Sequence, residues 1–182
     1  MMKAALEVKT EVLYREIRAH GVAVLRYRLA YPVIAECDAI SDFYRQTAYA
    51  LRDYSERTAV ARAEKFMSSS RTERAGFREM MIRSVPNVVW ADNRHVSVLL
   101  DFIAADREAI HRMVRTAHTF ERDSGRICMP SEFLGRRHTT LSEDFYLSPK
   151  GLVFVVNSNG EELSSGKKTR LEQYVREILI EI

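Results

Sequence analysis

Cysteine is scarce in this chain, and so is net charge of either sign. Only Cys37 and Cys128 are present, far apart and in dissimilar contexts. A structural metal centre needs paired ligands at short spacing, and a redox pair needs Cys-x-x-Cys, so both are excluded. The reading for the two thiols is buried, reduced and behaving as small hydrophobes. Lys and Arg number 28 against 25 Asp and Glu, a formal charge of +3. Most arginines are interleaved with acids, as in Arg52-Asp53 and Arg71-Thr72-Glu73-Arg74. That is the footprint of a solvated surface; a nucleic-acid binder clusters its cations on one face. No apolar run approaches the ~20 residues of a membrane helix. No secretory pattern follows Met1, because Glu7 and Lys9 end the short apolar stretch Ala4-Ala5-Leu6. The expectation is a cytoplasmic protein with no membrane partner.

Catalytic signatures are missing as well. The chain has no Gly-x-Ser-x-Gly, no phosphate-cradling glycine loop and no dinucleotide fingerprint. His111 and His118 stand seven apart, which on a strand places them on opposite faces and prevents joint chelation. Cys128 and His118 are placed to meet across a hairpin, yet no third group is at hand to orient such a pair, and the bland reading of a buried thiol outweighs it. The reading is therefore no catalytic residue, no metal and no cofactor.

What is present is enough chain, 182 residues with 46% hydrophobic, to bury a core without staples. Residues 12–31 read as two strands around a turn at His20-Gly21, with Pro32 closing the second. Asp38 or Ser41 caps a long helix to about Met67. Its stripe is Ile40, Phe43, Tyr44, Thr47, Leu51, Tyr54 and Thr58, at three- and four-residue steps. An antiparallel meander follows. Met80 to Trp90 and His95 to Ala104 flank the turn Asp92-Asn93-Arg94, and His111 to Arg122 leads through Asp123-Ser124-Gly125 to a returning strand at Arg126–Met129. Pro130 to Leu134 is a helical turn. Asp144 to Leu147 and Leu152 to Val156 bracket the turn Ser148-Pro149-Lys150-Gly151, and Asn157 opens a loop. Leu171, Tyr174, Val175, Ile178, Leu179 and Ile182 fit an amphipathic helix, a tail over about 167–182. No repeat or linker splits the chain. The fold class is α+β: one domain, 1–182, an antiparallel sheet packed against one long helix, with a C-terminal helix.

Three segments in fixed order carry a resemblance. They are Leu25-Arg26-Tyr27-Arg28-Leu29-Ala30-Tyr31-Pro32-Val33-Ile34, then Thr119 to Arg126 with Pro130 to Leu134, then Phe145-Tyr146-Leu147-Ser148-Pro149-Lys150-Gly151-Leu152-Val153-Phe154. Over about residues 22–156 the chain resembles a bacterial family of unknown-function domains. That family forms the extracytoplasmic part of lysozyme-sensing anti-sigma factors (RsiV-type) and occurs in peptidoglycan deacetylase-type surface proteins. Where members carry a glycine-rich loop with a histidine, this chain reads Ala104-Ala105-Asp106-Arg107-Glu108-Ala109. A lysozyme or sigma-factor role accordingly does not transfer. The resemblance implies the fold and a non-catalytic binding habit, as in a sensor or regulatory protein-interaction domain.

The partner-binding candidates are Asp106, Arg107 and Glu108 in one loop and Arg136, Arg137 and His138 in another. The rival reading is a hydrolase of a cell-wall or small-molecule substrate, with Glu143, Asp144 and His138 as its acid–base residues. A third, a nucleic-acid accessory role, uses Arg136, Arg137, Lys167 and Lys168. The expected partner is a protein, and the expected state a monomer or a homodimer, with the apolar tail either docked on the sheet or forming the contact.

Overall fold

A computed structural model describes residues 6–68, 77–134, 142–157 and 175–181. Strands β1 (Val8–Ala19) and β2 (Val22–Ile34) form a hairpin, closed by His20 at φ 51° and Gly21 at φ 79°. Helix α1 (Asp38–Met67) follows, then β3 (Met80–Ala91), β4 (His95–Ala105) and β5 (Ile110–Glu121). These five strands make one sheet in the order β1-β2-β3-β4-β5. A short helical turn, α2 (Ser131–Leu134), leads to β6 (Phe145–Ser148), β7 (Gly151–Asn157) and β8 (Val175–Glu181), a second, three-stranded sheet.

The large sheet is mixed, a correction to the all-antiparallel expectation. β2 and β3 run parallel, Leu25–Leu29 against Met80–Ser84, and the other neighbours are antiparallel. A parallel pair needs a crossover connection. α1 is that crossover: 30 residues rise about 45 Å, which carries the chain back along the length of β2.

α1 packs on one face of the sheet. Ile40 and Tyr44 are fully buried against Leu25, Tyr27, Leu29, Val96, Val98 and Phe120, and each large side chain so buried contributes about 1.5–3 kcal/mol. Beyond Leu51 the stripe departs from expectation. Tyr54 is 63% exposed, Thr58 is exposed, and the buried positions are Ser55, Ala59 and Ala63. Small residues let that half of the helix lie close to the sheet, a choice that a count of bulky residues misses. Nor does Ser41 cap the helix. Cys37 is the N-cap residue, while the buried Ser41 hydroxyl accepts from the Ile34 N–H at 2.8 Å and ties the first turn to the end of β2. Two tyrosines tie neighbouring elements: Tyr27 donates to Glu56 of α1, joining sheet to helix, and Tyr31 donates to Glu11 of the adjacent strand β1. Burial, then those carboxylates, pushes both phenols up to about 12.

Four further expectations are corrected. β2 runs through Pro32 to Ile34, with Pro32 opposite Thr10. The β2–β3 pairing has already ended at Leu29, so the missing proline N–H has no β3 ladder bond to leave unmade. Arg126–Met129 is no strand: a single bridge, Phe120 to Ile127, forms, with Cys128 N–H donating to Thr119 O. The tail is not a helix over Val175–Glu181. Those residues are a strand antiparallel to β7, and 167–174 lie outside the described residues. β7 sits in the middle of its sheet, and β8 pairs the ladder groups on its second side, where most of its residues are buried. That tertiary pairing overrides a 3.6-residue periodicity. Asn157, read as loop, is the last residue of β7.

The small sheet lies against the other face of β4 and β5. Leu99 and Ala117 pack with Val155, Val89, Tyr146 and Val175, while Ile103 and Met113 meet Val175. Between the layers Ser97 and Thr119 hydrogen-bond hydroxyl to hydroxyl at 2.9 Å. Leu147 N–H donates to Ser97, and Thr119 donates to Phe145 O. Asn157 spans the gap with its side chain, accepting from the Arg115 N–H and donating to its carbonyl.

Gly151 lies tight against the backbone of β8. Its φ is +141°, and a Cβ there would overlap the Ile180 carbonyl oxygen. Gly151→Ala is expected to destabilise the protein by about 2 kcal/mol or more, read as a lowered urea midpoint with an unchanged slope.

Candidate functional site

Because β2 and β3 are parallel, their first residues lie at the same end of the large sheet. The β4–β5 turn, 106–109, reaches the same end. Together they enclose a groove of about 450 Å³, lined by Val22, Ala23, Phe77, Arg78, Glu79, Arg107 and Glu108.

The turn is built on Asp106. Its Oδ1 accepts from the Glu108 and Ala109 N–H groups at 2.8 and 2.9 Å, its other oxygen meets His111 Nε2 at 2.7 Å, and its own N–H donates to Ala109 O. An aspartate bonding the backbone two and three residues on is a turn device. Asp106 is thus a scaffold residue, and what it presents to the groove is Arg107 and Glu108. The Ala109 and Glu108 amides, with the His111 ring, hold its carboxyl down to about 2.

Across the groove, Arg78 Nε donates to Glu108 at 3.1 Å, bridging the turn to the approach of β3. Phe77 packs at a tilt of 59° against Phe66 of α1 with ring centroids 4.9 Å apart, and the Arg62 guanidinium lies 5.6 Å over the Phe77 ring. The Glu79 side chain is only 10% exposed, with Arg26 at 3.5 Å and one carboxylate oxygen without a hydrogen-bond partner. The wall therefore offers an apolar ring, a buried anion, and cations and anions side by side at the rim.

Of the six partner-binding candidates, Arg107 and Glu108 meet in the groove and Asp106 shapes their turn. Arg136, Arg137 and His138 lie outside the described residues, as do Lys167 and Lys168. Val22, Ala23 and Phe77 to Glu79 were not singled out from sequence. Nothing local marks them, since they join the turn only through the parallel pairing.

The other candidates are placed as follows. Asp144 is taken up structurally: its carboxylate accepts from the Ala117 N–H at 3.1 Å, and its carbonyl accepts from Val155 N–H. Glu143 is exposed. His118 faces α1, 3.4 Å from the Tyr44 hydroxyl and edge-on to Phe43, and burial pushes its imidazole pKa down. Cys128 sits instead among Phe145, Leu147, Leu152 and Phe154, so it and His118 belong to different clusters. Both cysteines are free and buried, and burial pushes the Cys128 thiol up. Tyr27 and Phe154 are core residues, and Trp90 donates to Asp92 at 3.0 Å. Among the described residues no three His, Cys, Asp or Glu side chains gather as a metal site, and no helix is long and apolar enough to cross a membrane.

A carboxyl with a depressed pKa stabilises the fold above its ordinary value, 3.8, and loses that contribution as pH falls through about 2. An NMR titration is expected to place the Asp106 midpoint near 2, with the Glu108 and Ala109 amide shifts following it. Asp106→Ala is expected to speed hydrogen exchange at those two amides.

No family model matches the sequence, and no curated protein matches it. Solved structures similar in fold include two DUF3298 proteins. One is a DUF3298 family member from Bacteroides fragilis, 14% identical with a TM-score of 0.67, covering 100% of this chain and 92% of that one. The other is a DUF3298 family protein from Pseudomonas aeruginosa, 9% identical with a TM-score of 0.52, covering 82% of each chain. At such identities the likeness is one of fold, and that fold is the architecture of a bacterial domain family of unknown function.

Proposed function

We propose that this chain is a non-enzymatic binding module whose contact site is the groove at the shared end of β2, β3 and the β4–β5 turn. The observation that carries the reading is the meeting there of Arg107 and Glu108 with Arg78, Glu79 and Phe77 in a concavity of about 450 Å³. That volume lies within the range of ligand pockets, ~300–1,000 Å³. The lining suits a partner segment presenting opposite charges on neighbouring residues: a carboxylate for Arg107 at the rim, an ammonium or amide donor toward Glu79 and Glu108, and an apolar stem on Phe77. A sensor or regulatory protein-interaction domain uses such a site, in keeping with the binding habit that the resemblance to the RsiV-type family implies. The hydrolase reading through Glu143, Asp144 and His138 draws no support from the geometry, since the Asp144 carboxylate is occupied by the Ala117 backbone.

The dipeptides Glu-Lys and Lys-Glu serve as probes. Titrated into isotope-labelled protein, either is expected to shift amides at 22–23, 77–79 and 106–109. Binding is expected in the millimolar range, about −4 kcal/mol, and to weaken severalfold in Arg107→Ala or Glu108→Ala. Equal shifts from uncharged Gly-Gly, or shifts confined to other regions, would overturn the reading.

A further inference from the structure

We infer that β1 is a self-recognition edge, through which two copies of this chain pair antiparallel about a twofold axis at Leu13 and join their five-stranded sheets. This surface is separate from the groove and does not depend on it.

β1 ends the large sheet, so its outer row of backbone N–H and C=O groups has no strand partner among the described residues. Proteins guard such edges by keeping them short or by interrupting them with proline or bulges. β1 is 12 residues long and contains no proline. Its pairing with β2 is regular from Val8 to Ile17, and the one irregularity lies at Ile17/Arg18. The outward face carries exposed Val8, Val12 and Tyr14, the last 64% exposed.

Charge selects the partner and the register. In an antiparallel pair related by a twofold axis through the sheet, a residue faces one of like parity on the other copy. Centred on Leu13, the strand sets Glu11 opposite Arg15 twice, Val12 opposite Tyr14 twice, and Leu13 opposite itself, along the whole of Val8–Arg18. Opposite-charge pairs and aromatic–β-branched pairs are among the favourable cross-strand neighbours. The adjacent registers lack this match. Centring on Val12 sets Lys9 against Arg15, and centring on Glu11 sets that carboxylate against its own copy. Centring on Tyr14 leaves Arg15 opposite Leu13 and Glu16 opposite Val12. The charges that deter foreign strands are thus complementary to the strand's own copy in one register. Arg15 is 64% exposed with Glu56 of its own α1 at 3.6 Å, and Glu11 accepts from Tyr31 through one oxygen, so the cross-strand pair adds a second partner to each at the rim of the edge. An interface made by one strand edge falls in the small size class, which means a weak, concentration-dependent dimer.

Sedimentation equilibrium over a series reaching high micromolar protein is expected to show the mass rising from 21.0 kDa toward twice that value. Glu11→Arg and Arg15→Glu, each set against its own copy, place like charges at both pairs and are expected to stay monomeric. An equimolar mixture of the two variants restores both ion pairs and is expected to give a one-to-one heterodimer. Far-UV circular dichroism establishes that the variants fold. As an independent arm, Leu13→Cys is expected to form an intermolecular disulfide under an added mild oxidant, whereas Lys9→Cys, opposite Ile17, is not; Cys37 and Cys128 are buried and do not compete. A wild-type chain that stays monomeric throughout, variants that dimerise as the wild type does, or a mixture that fails to associate would overturn the inference. So would equal cross-linking at Lys9 and Leu13.

Discussion

The parallel pairing of β2 with β3 is the constraint from which the rest of this molecule follows. Parallel neighbours cannot be joined by a tight turn, so the chain must return the length of β2 before β3 begins. α1 makes that return, and in doing so it roofs one face of the sheet with Ile40 and Tyr44. The same pairing brings Val22 and Phe77 to a common end, where the Asp106 turn completes the groove. It also places the β1–β2 hairpin on the outside of the sheet, leaving β1 as an edge.

The opposite face is settled by a buried polar seam. Ser97 and Thr119 are both fully buried, yet neither hydroxyl is wasted: they bond to each other and to the β6 backbone. Asn157 and Asp144 do the same for the Arg115 and Ala117 amides on the outer edge of β5. Buried polar groups are tolerable when every member is satisfied, and a satisfied set fixes one docking arrangement where apolar contact alone permits sliding. Leu99, Ala117 and Val155 then supply the apolar contact. Arg122, only 4% exposed, extends this use of side chains as braces: it donates to Asp92 O and pairs with Glu36, linking the β3–β4 turn to the entry of α1.

Local signals were legible in the sequence wherever the responsible residues are neighbours. His20-Gly21, Asp92-Asn93-Arg94 and Pro149-Lys150-Gly151 mark their turns, and the strands on either side run close to the boundaries their alternation implies. The front half of α1 was visible through Ile40, Phe43 and Tyr44. Its rear half is hidden from such a count, because Ala59 and Ala63 are buried by proximity to the sheet and size carries no signal of that. Of the site, the turn residues Asp106 to Glu108 stood out as charges in a loop. Phe77, Arg78 and Glu79 did not, because their relation to that turn is made by strand pairing across a long stretch of chain.

The sequence by itself determined the composition of the elements: their alternation and their turns. Tertiary structure decided the mixed sheet, the division into two sheets, and the fate of the tail. Val175–Glu181 has the spacing of an amphipathic helix and yet forms a strand, because it pairs along the mostly buried β7 from Gly151 to Asn157. Periodicity reports which residues prefer burial. Which backbone groups remain unpaired, and so which conformation a segment must adopt to satisfy them, is known only once the neighbouring strands are in place.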